Sequence, residues 1–319
     1  MMARILTITL NPALDLTVEL ATLRVGEVNR GDALHVHAAG KGLNVAQVLA
    51  DLGHELTVTG FLGDDNSARF ETLFRERGFT DAFVRVPGET RRNIKLAERD
   101  GRVTDVNGTG PEVSADAQAH LLARLPDIAK GHDLAIVAGS LPRGVSVQWL
   151  QQLLDTLRGL NIRVALDTSG AALKAGLACQ PWLVKPNTDE LAEALGACVE
   201  NLAHQGTAAK ALHARGIEHV VISQGAQGVS WFRPGLALHA LPPTVAVAST
   251  VGAGDSLLAG MVHGLLTEAS AENTLRTATA IAAMAVTQIG FGIADRAALA
   301  GLESGVSVRP LATVEEVSP

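Results

Sequence analysis

Tyrosine is absent from this sequence, and Phe and Trp together bring the aromatic share to only 3%. Binders of single-stranded nucleic acid need ring faces on which bases stack, so that class is poorly supplied here. Positive charge is also short: 26 basic against 33 acidic residues leave a net charge of −7, the wrong sign for a surface that tracks a phosphate backbone. Two cysteines, Cys179 and Cys198, make neither a disulfide framework nor a four-cysteine zinc site by themselves, and both are expected to be reduced thiols of a cytoplasmic protein. The ten histidines show no His-Glu-x-x-His or clustered metal spacing. No apolar run approaches the roughly 20 residues of a membrane-spanning helix. The most apolar stretch, Ala278 to Val286, is short and rich in Ala, and the run Ile5 to Leu10 lacks the cleavage site of a signal peptide. Neither nucleic acid nor membrane is an expected partner.

What the chain has in excess is glycine, 32 residues of 319, which suggests tight turns and backbone brought close to ligands. At roughly 150 residues per domain the length fits two domains, or one α/β domain carrying an insertion. Strand-length apolar runs (Arg4 to Leu10, Glu55 to Gly60, Asp133 to Gly139, Arg163 to Asp167, Trp182 to Lys185, His219 to Ser223) alternate with helix-period segments, the pattern of a parallel sheet covered on both faces. Two segments break the rhythm, 15–38 and 83–107. The second contains Arg99-Asp100-Gly101-Arg102 between alternating runs, a hairpin signal, and the two segments are expected to form a small β lid. Helices return at Asp255 to Leu266 and Asn273 to Ile289, and the tail after Val306 reads as frayed.

Several loops could carry chemistry. Ser249-Thr250-Val251-Gly252-Ala253-Gly254-Asp255-Ser256 opens a helix, so its amides and the positive end of the helix dipole suit an anion. Asp255 could simply cap that helix, but two preceding glycines are unnecessary for a cap. With phosphate bound there, Asp255 would be placed to take a proton from an attacking hydroxyl. Gly40-Lys41-Gly42-Leu43-Asn44 opens a second helix and adds a cation and an amide, while Asp15 follows the first strand, at the edge where open α/β sheets bind ligands. Arg91, Arg92 and Lys95 make a local cationic cluster on the lid. Lys185-Pro186-Asn187-Thr188-Asp189-Glu190 offers a cation for phosphate and oxygens for hydrated magnesium, although Asn187 with Glu190 three residues later is also a helix-capping pattern. Ser223 to Gly228 is a glycine-lined turn, and Ser140 ends another strand-and-loop junction. Neither glycine loop satisfies the Walker A or the dinucleotide fingerprint, which demotes P-loop enzymes and dehydrogenases.

In this order the motifs resemble the ribokinase-like sugar kinases of the phosphofructokinase B branch, over essentially the whole chain. The resemblance is carried by Thr9 to Asp15, His37 to Ala46, Thr90 to Leu96, Trp182 to Asn187 and Ser249 to Ser256. It implies an α/β three-layer sandwich with a mostly parallel central sheet and a small inserted β-sheet lid, residues 1–319 forming a single kinase domain. It further implies ATP-dependent phosphorylation of the 6-hydroxyl of D-fructose 1-phosphate, with magnesium. Carried over by position, Asp255 would be the base, and the amides of Gly252, Ala253 and Gly254 the anion hole. Asp15, Gly40, Lys41, Asn44, Arg91 and Ser140 would hold the sugar phosphate. Lys185, Asn187, Glu190 and the turn Ser223, Gln224, Gly225, Ala226, Gln227, Gly228 would serve ATP and Mg2+, with Asn187 and Glu190 acting through water. The same resemblance implies a homodimer through the lid. Some relatives that use fructose 6-phosphate carry a basic residue near the position of Glu27, which favours a 1-phosphate here. Tagatose 6-phosphate is the alternative acceptor, because kinases for that sugar share the Gly-Lys-Gly loop, and a relaxed kinase acting on several phosphohexoses is the other alternative. A silent sugar-phosphate sensor on the same fold is the reading from a different class, and the intact Asp255 loop argues against it.

Overall fold

Strands that are apolar at consecutive positions need cover on both faces, and helices supply it here. The computed structural model describes residues 2–311. The chain begins with β1 (Arg4–Thr9), β2 (Ala13–Leu20), β3 (Ala33–Ala39), α1 (Lys41–Asp51), β4 (Glu55–Gly63), α2 (Ala68–Arg77), β5 (Thr80–Asp81) and β6 (Val84–Val86). The hairpin β7 (Arg92–Glu98) and β8 (Val103–Asn107) follows, then α3 (Ala115–Ala129), β9 (Leu134–Ala138), α4 (Val147–Gly159), β10 (Arg163–Asp167), α5 (Gly170–Leu177) and β11 (Leu183–Val184). The last third contains α6 (Thr188–Leu195), α7 (Leu202–His213), β12 (His219–Ser223), β13 (Val229–Arg233), β14 (Leu236–Leu241), α8 (Ala253–Leu266), α9 (Ala271–Ala285), α10 (Arg296–Gly305) and β15 (Ser307–Pro310).

The central sheet runs β15-β14-β13-β12-β11-β10-β9-β1-β4-β5, with β6 also paired to β4. Alternation along β9 shows the layering: Leu134, Ile136 and Ala138 point into a core with α1, α2, α8, α9 and α10, whereas Ala135 and Val137 point into one with α3 to α7. The strands from β5 to β12 are parallel, and β13, β14 and β15 are antiparallel additions at one edge. From β1 the chain passes to β4 on one side and later to β9 on the other. This reversal opens a crevice at the strands' C-terminal ends.

The lid is a separate four-stranded sheet, β3-β2-β7-β8. Leu16 pairs with Val36 and Ile94, and Ile94 with Val106, an apolar row across all four strands. On the other face Asp15 pairs with His37 and Asn93. The expected turn at Arg99 to Arg102 is present, with Gly101 at φ 89°. Three expectations need correction. The segment expected as lid from residue 83 contributes β6 to the central sheet, and its lid strands start only at Arg92. The second C-terminal helix stops at Ala285 instead of Ile289, because the Val286 carbonyl accepts from the amides of Ala248 and Ser249 rather than continuing the helix. The tail is not frayed directly after Val306: β15 pairs antiparallel with β14, and the Leu311 amide donates to Ala237. Residues 312–319 of that tail lie outside the described residues. Among the described residues no helix is long and apolar enough to cross a membrane.

Helices α1 and α8 both begin at the crevice. At their far ends His54 Nε2 and His263 Nδ1 lie 2.9 Å apart, and the Ala3 amide donates to His54 Nδ1. Burial, then the neighbouring His263, pushes His54 down to about 4, so the pair is neutral and shares one hydrogen.

Candidate active site

A cavity of about 450 Å3 opens at the crevice, between the lid and the C-terminal ends of the strands. Its floor is the start of α8. Gly252 precedes the helix at φ 80°, a left-handed conformation that a side chain would strain, and no side chain caps the first turn. The first intrahelical bond runs from Ser256 to the Gly252 carbonyl, so the amides of Ala253, Gly254 and Asp255 have no helical partner. Val251, Gly252, Gly254 and Asp255 line the cavity. The start of α1 is likewise uncapped by any side chain, and Gly40, Lys41 and Asn44 line the cavity from there.

Asp255 is buried, and Asn44 Nδ2 donates to its Oδ2 at 2.7 Å. Burial is the main force on its carboxyl and the negative charge of Asp167 adds to it. Lys41, Asn44 and Lys185 pull the other way, and the outcome is a group pushed up to about 6. Such a carboxylate is charged at neutral pH and more basic than a surface aspartate. Asp167, at the end of β10, is wholly buried and holds two cations: its Oδ1 is 3.2 Å from Lys41 Nζ and its Oδ2 is 3.2 Å from Lys185 Nζ. Burial presses the Lys41 ammonium down, but Asp167, Asp255 and Glu190 outweigh it and hold it above the ordinary lysine value. Lys185 Nζ is 3.2 Å from the point where a Gly254 side chain would begin, so its charge reaches the open amides.

The lid contributes Asp15, Arg91 and Asn93 to the cavity. Asp15 is buried, with Asn93 Nδ2 donating to Oδ1 at 2.9 Å and Lys95 Nζ 3.2 Å from Oδ2. Arg91 is fixed by the carbonyls of Asn11 and Pro12. The cationic cluster expected on the lid does not form as a unit. Arg92 turns outward to Glu89, Lys95 is taken up by Asp15 and Asp105, and Arg91 is the member that lines the cavity.

On the opposite side Lys185, Asn187, Glu190, Ser223 and Gly225 complete the lining. The capping alternative for Asn187 and Glu190 is realised: Asn187 Oδ1 accepts from the Glu190 amide and Glu190 Oε2 accepts from the Asn187 amide. The box leaves Glu190 Oε1 uncommitted, so a carboxylate oxygen remains for a cation held through water. Among the described residues no cluster of three acidic, His or Cys side chains is placed to ligate a metal directly.

Not every expected residue reaches the cavity wall. Ser140 is exposed on the turn after β9, its hydroxyl accepting from Asn11 Nδ2 at 3.1 Å. Gln224, Ala226, Gln227 and Gly228 lie in the turn beyond Ser223 and Gly225. There the Gln224 amide bonds to the Gly228 carbonyl, and Gly228 is required by its backbone, since a Cβ would fall 2.1 Å from the Ala240 carbonyl oxygen. Two residues escaped the sequence reading. Asp167 ends a strand at the ligand-binding edge, and a carboxylate at that position was a usable signal. Asn93 carried none, since only strand pairing sets it beside Asp15.

Comparison with known proteins identifies the family. Residues 8–297 match the pfkB family of carbohydrate kinases. A 1-phosphofructokinase of Vibrio cholerae is 46% identical over 98% of this chain and 98% of its own length, and one of Escherichia coli K12 is 46% identical over 97% and 99%. Among solved structures, phosphofructokinase-2 from Escherichia coli in complex with fructose-6-phosphate superposes with a TM-score of 0.85 at 28% identity, covering 95% of this chain and 99% of that one. The chain belongs to the pfkB family of carbohydrate kinases.

Proposed function

We propose that this chain phosphorylates the 6-hydroxyl of D-fructose 1-phosphate with ATP, giving fructose 1,6-bisphosphate and ADP. The observation that carries the reading is the buried Asp255 carboxylate, poised near pH 6 at the open end of α8. Identity of 46% with 1-phosphofructokinases over nearly full length supports the choice of sugar. The sugar phosphate lies towards Asp15, Gly40, Lys41, Asn44 and Arg91, with Ser140 outside the lining, and ATP lies towards Lys185, Ser223 and Gly225. Asp255 takes the proton of the 6-hydroxyl as that oxygen forms a bond to the γ-phosphorus. The bond to the bridging oxygen breaks, and ADP leaves with the electron pair. Charge building on the transferring group meets the amides of Gly252, Ala253 and Gly254 and the ammonium groups of Lys41 and Lys185. Magnesium, when bound, neutralises phosphate charge, and Glu190 Oε1 with Asn187 would hold it through water.

The whole chain works in this reading as one cytoplasmic kinase domain. The apolar row on the lid's outer face, with Ile94 38% and Val106 55% exposed, and with Leu34, two residues before Val36, 61% exposed, supports a homodimer through that face.

ADP release with magnesium and fructose 1-phosphate, fructose 6-phosphate or tagatose 6-phosphate tests the reading, with Asp255→Ala as control. Preference for fructose 1-phosphate, lost in the variant, is the expected result. Preference for tagatose 6-phosphate changes the substrate and keeps the chemistry. Binding of a sugar phosphate without turnover would revive the sensor.

A further inference from the structure

Two asparagines line the cavity in the same manner. Asn44 Nδ2 donates to Asp255 and Asn93 Nδ2 donates to Asp15, and in both residues the Oδ1 is buried without a hydrogen-bond partner. An ionised carboxylate accepts only, so turning either amide over would set two acceptors against each other. Each asparagine therefore presents a carbonyl oxygen as its free atom. Asn93 is held in this orientation with particular firmness, because Lys95 Nζ lies 3.2 Å from the second oxygen of Asp15 and 3.6 Å from Asp105. A buried acceptor with no donor is unfavourable, and a ligand that supplies a donor relieves it. Phosphate groups offer acceptors, whereas sugar hydroxyls offer donors. The reacting hydroxyl belongs at Asp255 on α8; Asn93 stands on the lid strand β7 and meets another part of the sugar.

We infer that Asn93 determines sugar specificity: its Oδ1 accepts a hydrogen bond from one secondary ring hydroxyl that takes no part in phosphoryl transfer. The inference rests on the proposed phosphohexokinase reading and adds the residue that inspects the ring. A sugar that lacks this hydroxyl, or carries it on the opposite ring face, leaves the acceptor bare and is discriminated against.

The test is a cycle between residue and substrate. Wild type and Asn93→Ala are compared on fructose 1-phosphate and on its 3-deoxy and 4-deoxy forms, with Asn93→Ser as a milder second variant and melting temperature as a folding control. On the parent sugar Asn93→Ala should raise KM and lower kcat/KM about tenfold to a hundredfold, with kcat changed less. On one deoxy sugar wild type should show the same loss, and the variant should add nothing to it. Two results overturn the inference. One is a wild type that handles both deoxy sugars as well as the parent, a result that needs no variant. The other is a loss in Asn93→Ala that persists in full on both, which would make Asn93 a support for Asp15 only. If wild type prefers another phosphohexose, the substrate reading fails, and the same cycle on that sugar still decides the role of Asn93. If nothing turns over, calorimetric Kd values for the same sugars run the cycle without catalysis.

Discussion

Every residue of β9 is buried and every residue of β8 is exposed, although the sheets to which they belong border one cavity. The central sheet is covered by helices on both faces, so its strands can be apolar throughout and contribute stability. The lid turns one face to the cavity and leaves Ile94 and Val106 exposed on the other. Its strands accordingly mix types along their length, with Asp15 beside Leu16 and Asn93 beside Ile94. In the proposed reading, the difference anchors the catalytic chemistry in the helix-covered body and puts substrate inspection on the layer with less burial behind it.

Breaking the body side should cost most. Asp255→Asn is expected to lower kcat about a thousandfold or more while leaving the fold intact, as read by ADP release and circular dichroism. In wild type kcat/KM should fall as pH drops through about 6, because protonated Asp255 cannot act as the base. The folded carboxyl binds its proton more tightly than the unfolded one, with a value raised from 3.8 to about 6, so its ionisation reduces stability as pH rises across that interval. Asp255→Asn removes this cost and should raise the melting temperature at pH 7.5, a gain in stability at the expense of activity. A lower melting temperature would contradict the assignment of Asp255 as a strained buried charge.

Next in size is the contrast in packing. Ile136→Ala in β9 should lower unfolding free energy by about 2–5 kcal/mol in urea titrations, whereas Val103→Ala in β8, 42% exposed, should stay within about 0.5 kcal/mol. Equal losses would mean that the lid is as integral to the core as the central sheet. The exposed part of the row gives a third comparison: if the proposed homodimer forms through the lid, Ile94→Glu should shift it to monomer in sedimentation velocity at micromolar concentration, with a change in melting temperature smaller than that of Ile136→Ala. Smallest is the pair of adjacent arginines. Arg91→Ala should lower kcat/KM about tenfold to a hundredfold, since it removes a fixed cation from the cavity, while Arg92→Ala, which breaks an exposed pair with Glu89, should change it less than about threefold.

The parallel strands could be read from the sequence because consecutive apolar residues at strand length have few other uses. Strands at the far edge were harder. Ser307 to Pro310 pairs on one side only, and its register with β14 depends on a partner some 70 residues away. In the site, glycine loops at helix starts were visible because their physics is local. Asn93 was not, since it acquires its role from Asp15 on another strand, and Asp167 showed only its place at a strand end, its two partners Lys41 and Lys185 being visible only in space. Local sequence also exaggerated one feature, the cluster Arg91, Arg92 and Lys95, because acidic neighbours that neutralise two of the three are visible only in space.

The contact between Asn44 and Asp255 joins residues 211 positions apart, and α1 packs its apolar side against α8 along the way. During synthesis, then, the Gly-Lys-Gly helix leaves the ribosome long before the helix that covers it. Until α8 arrives, α1 lacks its cover on that side, and the nascent chain carries an adhesive surface instead of half an enzyme. Premature termination anywhere before Ala253 should therefore yield aggregates rather than partially active fragments.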